Sequence, residues 1–401
     1  MIDYFPGQYW PNLLLCNTLA SGVPVGDLDD GLRKAQAVLK AGSPPESPEF
    51  PAAAAEGLNA VADRLERMIA ADLALGRSLS AGNKLLRQAA ILDCLGWFMT
   101  DFYNPMKLTT FDRARAAFKK GLALSGAPHS RSEFFQIPFE GVMLDALFTP
   151  SETDGPSPVV IHLNGTHSQI EWQYFIGIAP QLAKRGIASI ALDHPGSGSA
   201  RYHLGLKYRP DPESYTIATI NEVTRRSDID AERIGVCGSS FGGIFALMAT
   251  ARIPRIKACV SWSPGYGFPT HRYFAHGRPS DPGPLATPYE EGRAKQQRWA
   301  YGAIDNQQLY DKMQSYSVQN DVPKINVPLL VVAGLNDPQT PAAHAERIVL
   351  EATGSPRAEL LTIGPDIGGD LHCNVDNPAT AVDAISDWFT DIFHTRPEGR
   401  A

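Results

Sequence analysis

The sequence predicts an α/β fold with a mostly parallel central sheet, preceded by a separate helical region. Residues 1 to about 125 carry apolar residues at helical spacing and show no strand-like alternation. After residue 130, short apolar runs typical of buried strands alternate with longer segments typical of helices. Such alternation indicates a parallel sheet that is covered by helices on both faces.

The N-terminal region contains three segments with a clear helical period. In residues 54–75, apolar side chains recur every three or four positions and predict an amphipathic helix; they are Leu58, Val61, Leu65, Ile69 and Leu73. Residues 84–102 and 110–124 show the same spacing, and Thr110 is a possible N-cap. The prolines of residues 42–48 predict a loop. We therefore expect a helical domain over residues 1–125 and a second domain over residues 126–401.

The second domain is expected to begin with a β-hairpin of residues 134–138 and 142–148 that turns at Glu140-Gly141. Further strands are expected at residues 158–163, 188–192, 233–237, 258–262, 329–333 and 358–363, and helices at residues 175–185, 215–226, 242–251, 342–352 and 379–394. Residues 265–324, rich in Pro, Gly, Tyr and His, interrupt this rhythm and include one expected helix near residues 288–301. Insertions of this kind lie above the C-terminal edge of the sheet, where ligands bind, so we interpret this segment as a lid.

Composition excludes several classes of protein. The chain has 401 residues, 43% hydrophobic and 20% charged, and its net charge of −7 gives no attraction for nucleic acid or an anionic membrane. The N-terminus lacks a signal-peptide pattern, and no apolar run approaches the roughly 18 residues of a membrane span. The five cysteines are scattered without a C-x-x-C pair, which argues against a disulfide framework or a zinc site. We expect a cytoplasmic protein that needs no metal or cofactor.

The segment Gly238-Ser239-Ser240-Phe241-Gly242 lies between an expected strand and an expected helix. In this context a G-x-S-x-G pentapeptide predicts a nucleophile on a strained turn, with glycines where neighbouring backbone leaves no room for a Cβ. Ser240 is therefore the candidate nucleophile. The alternative is a glycine-rich turn without chemistry.

An unactivated serine needs a base, and the base needs an acid to orient it. Asp337 directly follows the strand at residues 329–333, and His372 follows the next strand, in the chain order that this fold uses. Asp337 could instead cap the helix near Pro341, and His372 could be an exposed loop residue. The fallback acids are Asp366 and Asp370.

The oxyanion hole is expected to combine two backbone N–H groups, one from Phe241 and one from Thr166 in the loop Asn164-Gly165-Thr166-His167. A tight strand–helix connection without a ligand role is the alternative for that loop. The segment His194-Pro195-Gly196-Ser197-Gly198 lacks the lysine and the glycine spacing of nucleotide-binding loops, so we interpret it as a structural turn.

Two further sets of side chains remain. His162 belongs to an apolar strand and is interpreted as a packed histidine rather than a metal ligand. Tyr266, His271 and Tyr273 follow a strand end in the lid segment, where they either line a substrate pocket or pack the lid.

From about residue 110 to 390 the sequence resembles the α/β-hydrolases that include 2,6-dihydroxy-pseudo-oxynicotine hydrolase and the fungal polyketide-shortening hydrolases of melanin synthesis. The matching stretches are Leu163-Asn164-Gly165-Thr166, Asp193 to Gly198, Gly238 to Gly243, Ala258 to Trp262, Asp370 to Cys373 and the N-terminal Gly22 to Leu28. The resemblance implies an α/β-hydrolase fold with an N-terminal helical cap domain and a lid insertion. Departures are Asn164, where relatives tend to have a second glycine, and a lid that is longer here.

The resemblance also implies a homodimer, Ser240, Asp337 and His372 as the family triad, and cleavage of a carbon–carbon bond beside a ketone in an aryl ketone or β-diketone. Some relatives use an additional acidic residue, which the sequence does not locate. The alternatives are a carboxylesterase or related acyl-transfer enzyme (lactonase, thioesterase or cyclase) and a hydrolase-fold protein that binds without catalysis.

Overall fold

The computed structural model describes residues 1–42, 47–99, 105–126, 131–166, 168–267 and 288–394. These residues form two compact units, the first from the described residues within 1–131 and 273–309, the second from those within 132–272 and 310–401. The first unit thus includes part of the segment 265–324 that we interpreted as a lid. The domain boundary after residue 125 stays a prediction.

The first unit is built from long helices, as the apolar spacing predicts. Its N-terminal helices are α1 (Tyr9–Ala20), α2 (Val25–Lys40), α3 (Glu49–Ala74), α4 (Ser78–Phe98) and α5 (Pro105–Ser125). The stripe predicted on α3 is buried at Leu58, Val61, Leu65 and Ile69. Helices α3 to α5 each begin several residues before the predicted start.

The described part of the second unit contains one eight-stranded sheet. Its strands are β1 (Glu133–Phe139), β2 (Val142–Thr149), β3 (Ser157–Leu163), β4 (Ala188–Leu192), β5 (Ile229–Ser239), β6 (Ile256–Trp262), β7 (Leu329–Gly334) and β8 (Ala358–Ile363). They lie in the order β1-β2-β4-β3-β5-β6-β7-β8. The pairs β1–β2 and β2–β4 are antiparallel, and all the pairs from β4–β3 to β7–β8 are parallel. Every residue of β3 and β4 is buried, which is typical of a sheet covered on both faces.

Further helices lie between these strands in the chain or after β8. They are α6 (Ile170–Phe175), α7 (Ile178–Lys184), α8 (Gly198–Tyr202), α9 (Pro212–Val223), α10 (Phe241–Arg252), α11 (Pro288–Tyr301), α12 (Asn306–Met313), α13 (Ala342–Glu351) and α14 (Pro378–His394). Of these, α11 belongs to the first unit, and α12 begins in it. The helix predicted over residues 175–185 is present as α7 but begins later, and the short helix α6 before it was not predicted. Two short helices occupy residues 170–184, and the chain breaks between them at Gly177, whose φ of 93° no helix contains.

The hairpin of β1 and β2 turns at the predicted residues. Glu140 and Gly141 both have positive φ, 45° and 85°, which is the geometry of the two-residue turn that suits the twist of paired strands. Phe139 and Val142 are the last paired residues on either side of this turn.

The order of the strands creates a switch point between β3 and β5. The chain passes from β3 to β4 on one side of the sheet and then returns to β5 on the other side of β3. In open α/β sheets, ligands bind where the connections diverge in this way, outside the carboxyl ends of the strands. The loop after β3 and the turn after β5 meet at that place, and they contain Thr166 and Ser240.

Candidate active site

Ser240 occupies a strained turn between β5 and α10. Its φ of 57° and ψ of −121° lie outside the regions that non-glycine residues usually adopt. Two backbone hydrogen bonds hold it there, from the Ser240 N–H to the Trp262 carbonyl (2.7 Å) and from the Gly243 N–H to the Ser240 carbonyl (2.9 Å). The turn points the half-buried serine away from the strand and toward the C-terminal edge of the sheet.

The two glycines of the pentapeptide are required by close backbone contacts. A Cβ at Gly238 would lie 1.9 Å from the Gly242 carbonyl oxygen, and a Cβ at Gly242 would lie 2.1 Å from the Leu163 carbonyl oxygen. Atoms cannot approach so closely, so any side chain at either position would displace the turn. This agrees with the reason for which the sequence predicts glycine there.

The structure brings Ser240, His372 and Asp337 into one chain of hydrogen bonds. His372 Nε2 lies 2.9 Å from Ser240 Oγ, and His372 Nδ1 lies 2.7 Å from Asp337 Oδ2. Ser240 follows β5, Asp337 follows β7 and His372 follows β8, so the carboxyl ends of three parallel strands supply the three side chains. In this arrangement the imidazole can take the serine proton, and the carboxylate can stabilise the imidazolium that forms.

Asp337 is held as an ionised acceptor. Its Oδ1 accepts hydrogen bonds from the backbone N–H groups of Gln339 (2.7 Å) and Thr340 (3.1 Å), and its Oδ2 accepts one from the Thr340 hydroxyl (2.6 Å). Burial raises the pKa of Asp337, but His372 and these hydrogen bonds outweigh burial and bring the pKa below its ordinary value. The carboxylate is therefore charged and fixed in orientation.

The pKa of His372 moves in the opposite direction. Burial alone lowers it, but the neighbouring Asp337 carboxylate, with Cys373, raises it well above the ordinary value of 6.5. The side chain is buried, with 8% of its surface exposed. A raised pKa makes the imidazole a stronger base toward the Ser240 hydroxyl.

A left-handed turn directly after His372 fixes the position of the ring. Cys373 and Asn374 have φ values of 49° and 52°, although neither is glycine. The turn is anchored by hydrogen bonds from the Trp262 indole N–H to Asn374 Oδ1 (2.6 Å) and from the Cys373 N–H to Ser263 Oγ (3.0 Å). No local sequence pattern marks these supports, because the partners lie more than a hundred residues apart in the chain.

The loop after β3 lies against the nucleophile. A Cβ at Gly165 would lie 3.2 Å from Ser240 Cβ and 3.0 Å from the Ser239 carbonyl oxygen, so only glycine allows this approach without displacement. No described residue accepts a hydrogen bond from the Thr166 N–H. Phe241 is the first residue of α10 and directly follows Ser240. Both N–H groups predicted for the oxyanion hole therefore belong to segments beside Ser240.

The three residues predicted for substrate binding have different outcomes. His271 and Tyr273 lie outside the described residues. Tyr266 is buried and packs against α13: its hydroxyl donates a hydrogen bond to Glu351, and the Arg347 guanidinium lies 3.9 Å from its ring centre. Its role in substrate binding stays a prediction.

The other candidates do not reach the Ser240 site. Asp366 is exposed, and Asp370 accepts a hydrogen bond from the Asn336 amide (2.5 Å) rather than from His372. His162 is fully buried in β3, where burial lowers its pKa to about 3 and keeps it neutral. Within the described ranges, no group of three or more His, Cys, Asp or Glu side chains could hold a metal ion.

Several known proteins are similar to this chain. One is 2,6-dihydropseudooxynicotine hydrolase of Paenarthrobacter nicotinovorans, with 30% identity over 202 residues that cover 50% of this chain and 52% of the relative. Another is Hydrolase LUC6 of a Fusarium species, with 29% identity over 332 residues that cover 73% of this chain and 76% of the relative. The chain thus spans about half the length of the first relative and about three quarters of the second.

The fold matches that of a solved structure, the crystal structure of 2,6-dihydroxy-pseudo-oxynicotine hydrolase. The TM-score is 0.73 over 95% of this chain and 96% of that one, at 22% identity, so the likeness concerns the fold. None of the helices in the described ranges is both long and apolar enough to span a membrane.

The sequence model of the prolyl oligopeptidase family matches residues 172–389, a range that contains Ser240, Asp337 and His372. The two curated relatives described above are named hydrolases, and the family match places this chain among enzymes. Because this match covers more than half of the chain, and because the sheet and its helices have the α/β-hydrolase architecture, the protein belongs to the prolyl oligopeptidase family of α/β-hydrolases.

Proposed function

We propose that this enzyme hydrolyses a small molecule by covalent catalysis, with Ser240 as nucleophile, His372 as general acid and base, and Asp337 as the acid that orients His372. The observation that carries this proposal is the hydrogen-bonded chain from Ser240 Oγ through both nitrogens of His372 to Asp337 Oδ2. The strained backbone of Ser240 supports it, since such strain is concentrated at functional sites.

The steps follow from this geometry. Ser240 Oγ attacks a substrate carbonyl while its proton moves to His372 Nε2, and the negative oxygen that forms is held by the N–H groups of Phe241 and Thr166. The proton on Nε2 then passes to the departing group as its bond to the carbonyl carbon breaks. In the second half, His372 takes a proton from water, the hydroxide attacks the acyl-enzyme, and Ser240 Oγ recovers a proton as the acid leaves.

We propose further that the bond broken is a carbon–carbon bond beside a ketone, in an aryl ketone or β-diketone. The resemblance to the hydrolases described above supports this choice of substrate. A carbanion leaves poorly, so the substrate needs a neighbouring carbonyl or an electron-rich ring that delocalises the charge before His372 protonates the carbon. The homodimer and the cytoplasmic location that the sequence analysis expects stay predictions.

The substrate proposal is tested by comparing two series of compounds on the purified protein. Cleavage of aryl 1,3-diketones is followed by the appearance of the acid and the ketone, and cleavage of aryl esters with a matched acyl group is followed by release of the phenol. We expect cleavage of at least one diketone, abolished in Ser240→Ala. Rapid ester turnover with no diketone cleavage would show that the enzyme is an esterase with the same nucleophile.

The pH dependence of kcat/KM provides a further prediction. His372 accepts a proton only when neutral, so kcat/KM should rise as the pH increases through the His372 pKa in the free enzyme. Since Asp337 raises that pKa well above 6.5, the midpoint of the acid limb should lie above pH 6.5. The profile of kcat/KM is measured between pH 5 and 9 with a substrate that does not ionise in that range. A midpoint below pH 6.5 would contradict the assignment of His372, paired with Asp337, as the general base.

A further inference from the structure

A single tyrosine hydroxyl contacts the carbonyl groups on both sides of Thr166. The Tyr208 Oη lies 2.8 Å from the Thr166 carbonyl oxygen and 3.3 Å from the Gly165 carbonyl oxygen. The Arg201 guanidinium donates a second hydrogen bond to the Thr166 carbonyl (3.1 Å). Tyr208 and Arg201 are both buried, with 5% and 2% of their surfaces exposed. The loop that follows β3 is therefore held by two buried side chains from another segment.

The Tyr208 ring contacts the second half of the same site. Its centre lies 5.2 Å from that of the Phe241 ring, in an edge-to-face arrangement. Phe241 is the residue directly after Ser240. Tyr208 thus touches both segments whose N–H groups are proposed to hold the oxyanion, the upstream loop through its hydroxyl and the first turn of α10 through its ring.

The turn at residues 194–198, predicted above to have a structural role, packs against this tyrosine. Gly196 has a φ of 89°, and a Cβ at that position would lie 2.3 Å from the Tyr208 ring, so the ring packs directly on the backbone of the turn. The same turn fixes the start of the upstream loop, because Asp193 accepts a hydrogen bond from the Asn164 amide (3.3 Å) and His194 contacts the Asn164 carbonyl (3.1 Å). The turn is thus connected to the Ser240 site through Tyr208.

We propose that Tyr208 is a positioning residue for the oxyanion hole, acting through the backbone of Gly165 and Thr166, with Arg201 as the second support. A trans peptide places its C=O and N–H on opposite edges of one plane, so holding the Gly165 carbonyl fixes the direction of the Thr166 N–H. Donors in an oxyanion hole act at about 2.7–3.1 Å from the developing charge, and they must be held to within about half an ångström of that geometry. This inference rests on the proposed function of Ser240.

The variant Tyr208→Phe tests this inference because it removes the hydroxyl and keeps the ring on Gly196 and Phe241. We expect kcat to fall about tenfold or more with KM nearly unchanged, since the loss affects the transition state and not the bound substrate. The rate at which a fluorophosphonate labels Ser240 should fall in parallel. Complete labelling with the same reagent counts the reactive sites, so kcat per labelled site refers only to folded enzyme even if the variant is less stable.

Tyr215→Phe is the matched control. Tyr215 is also buried and stacks on His194 in the same aromatic cluster, with ring centres 5.1 Å apart, but its hydroxyl has no hydrogen-bond partner in the described part of the chain. We expect this variant to keep the wild-type kcat and labelling rate.

The outcomes separate the two proposals. Wild-type kcat per labelled site in Tyr208→Phe, with Ser240 labelled normally, would overturn the positioning role and leave the proposed function intact. An equal loss of kcat in Tyr208→Phe and Tyr215→Phe would show a general packing effect and would also overturn the positioning role of Tyr208. Failure of the wild-type protein to label at Ser240 would refute the proposed function itself.

Discussion

Replacing Ser240 with alanine is expected to lower kcat by about 10⁴-fold or more, because every covalent step passes through its Oγ. Folding should be unaffected. The backbone at residue 240 has a φ of 57°, which alanine tolerates no worse than serine, and the two hydrogen bonds that hold the turn use backbone atoms alone. The measurements are kcat on the best substrate found among the diketones and esters, and the midpoint of thermal unfolding by circular dichroism.

Ser239→Ala is the matched control for this experiment. Ser239 is the adjacent residue and carries the same side chain, but it is the last residue of β5 and is buried. We expect its activity to remain of the same order as that of the wild type. If Ser240→Ala retained activity, or if Ser239→Ala lost as much, Ser240 would not be the nucleophile.

Asp337→Asn is the variant with the second-largest expected effect, a loss of about 10⁴-fold in kcat near neutral pH. The surrounding donors determine how the new amide is oriented. The N–H groups of Gln339 and Thr340 both point at Oδ1, so the amide oxygen takes that position and the NH₂ group faces His372. His372 Nδ1 must then accept a hydrogen bond from this NH₂ group, so the neutral imidazole carries its proton on Nε2. A protonated Nε2 cannot accept the proton of Ser240.

The same variant changes the pH profile in a defined direction. Without the carboxylate, burial is the main remaining influence on His372, and burial lowers its pKa. The acid limb of kcat/KM should therefore move to lower pH in Asp337→Asn. The matched control is Asp366→Asn, which removes an exposed carboxylate between β8 and His372 and should keep both kcat and the profile. Wild-type activity in Asp337→Asn would exclude it as the orienting acid.

Much of the fold could be predicted because local signals were consistent with one another. The alternation of buried apolar runs and amphipathic segments located all eight strands and most of the helices that cover the sheet. The turn at Glu140-Gly141 was predictable because glycine suits a positive φ in a short hairpin loop. The break at Gly177 was missed because an isolated glycine within a helical pattern can be tolerated without ending the helix.

The sequence could predict those site residues that lie directly after the end of a strand. Ser240, Asp337 and His372 each follow a strand of the parallel part of the sheet, and parallel strands bring such ends to one edge. The supports of these residues could not be found in that way. Trp262 and Asn374 meet across the fold, as do Tyr208 and Thr166, and nothing in the neighbouring sequence of either partner marks the contact. Gln339 was an exception in principle, since an aspartate in a turn often accepts a hydrogen bond from the backbone N–H two residues later, as Asp337 does here.

The identity of the reacting serine is tested most directly by covalent labelling with a fluorophosphonate, followed by peptide mapping with mass spectrometry. We predict one adduct per chain, on Ser240, whose rate falls as the pH decreases and whose formation is abolished in Ser240→Ala but not in Ser239→Ala. An adduct on any other residue, or undiminished labelling of Ser240→Ala, would contradict the assignment of Ser240 as the nucleophile.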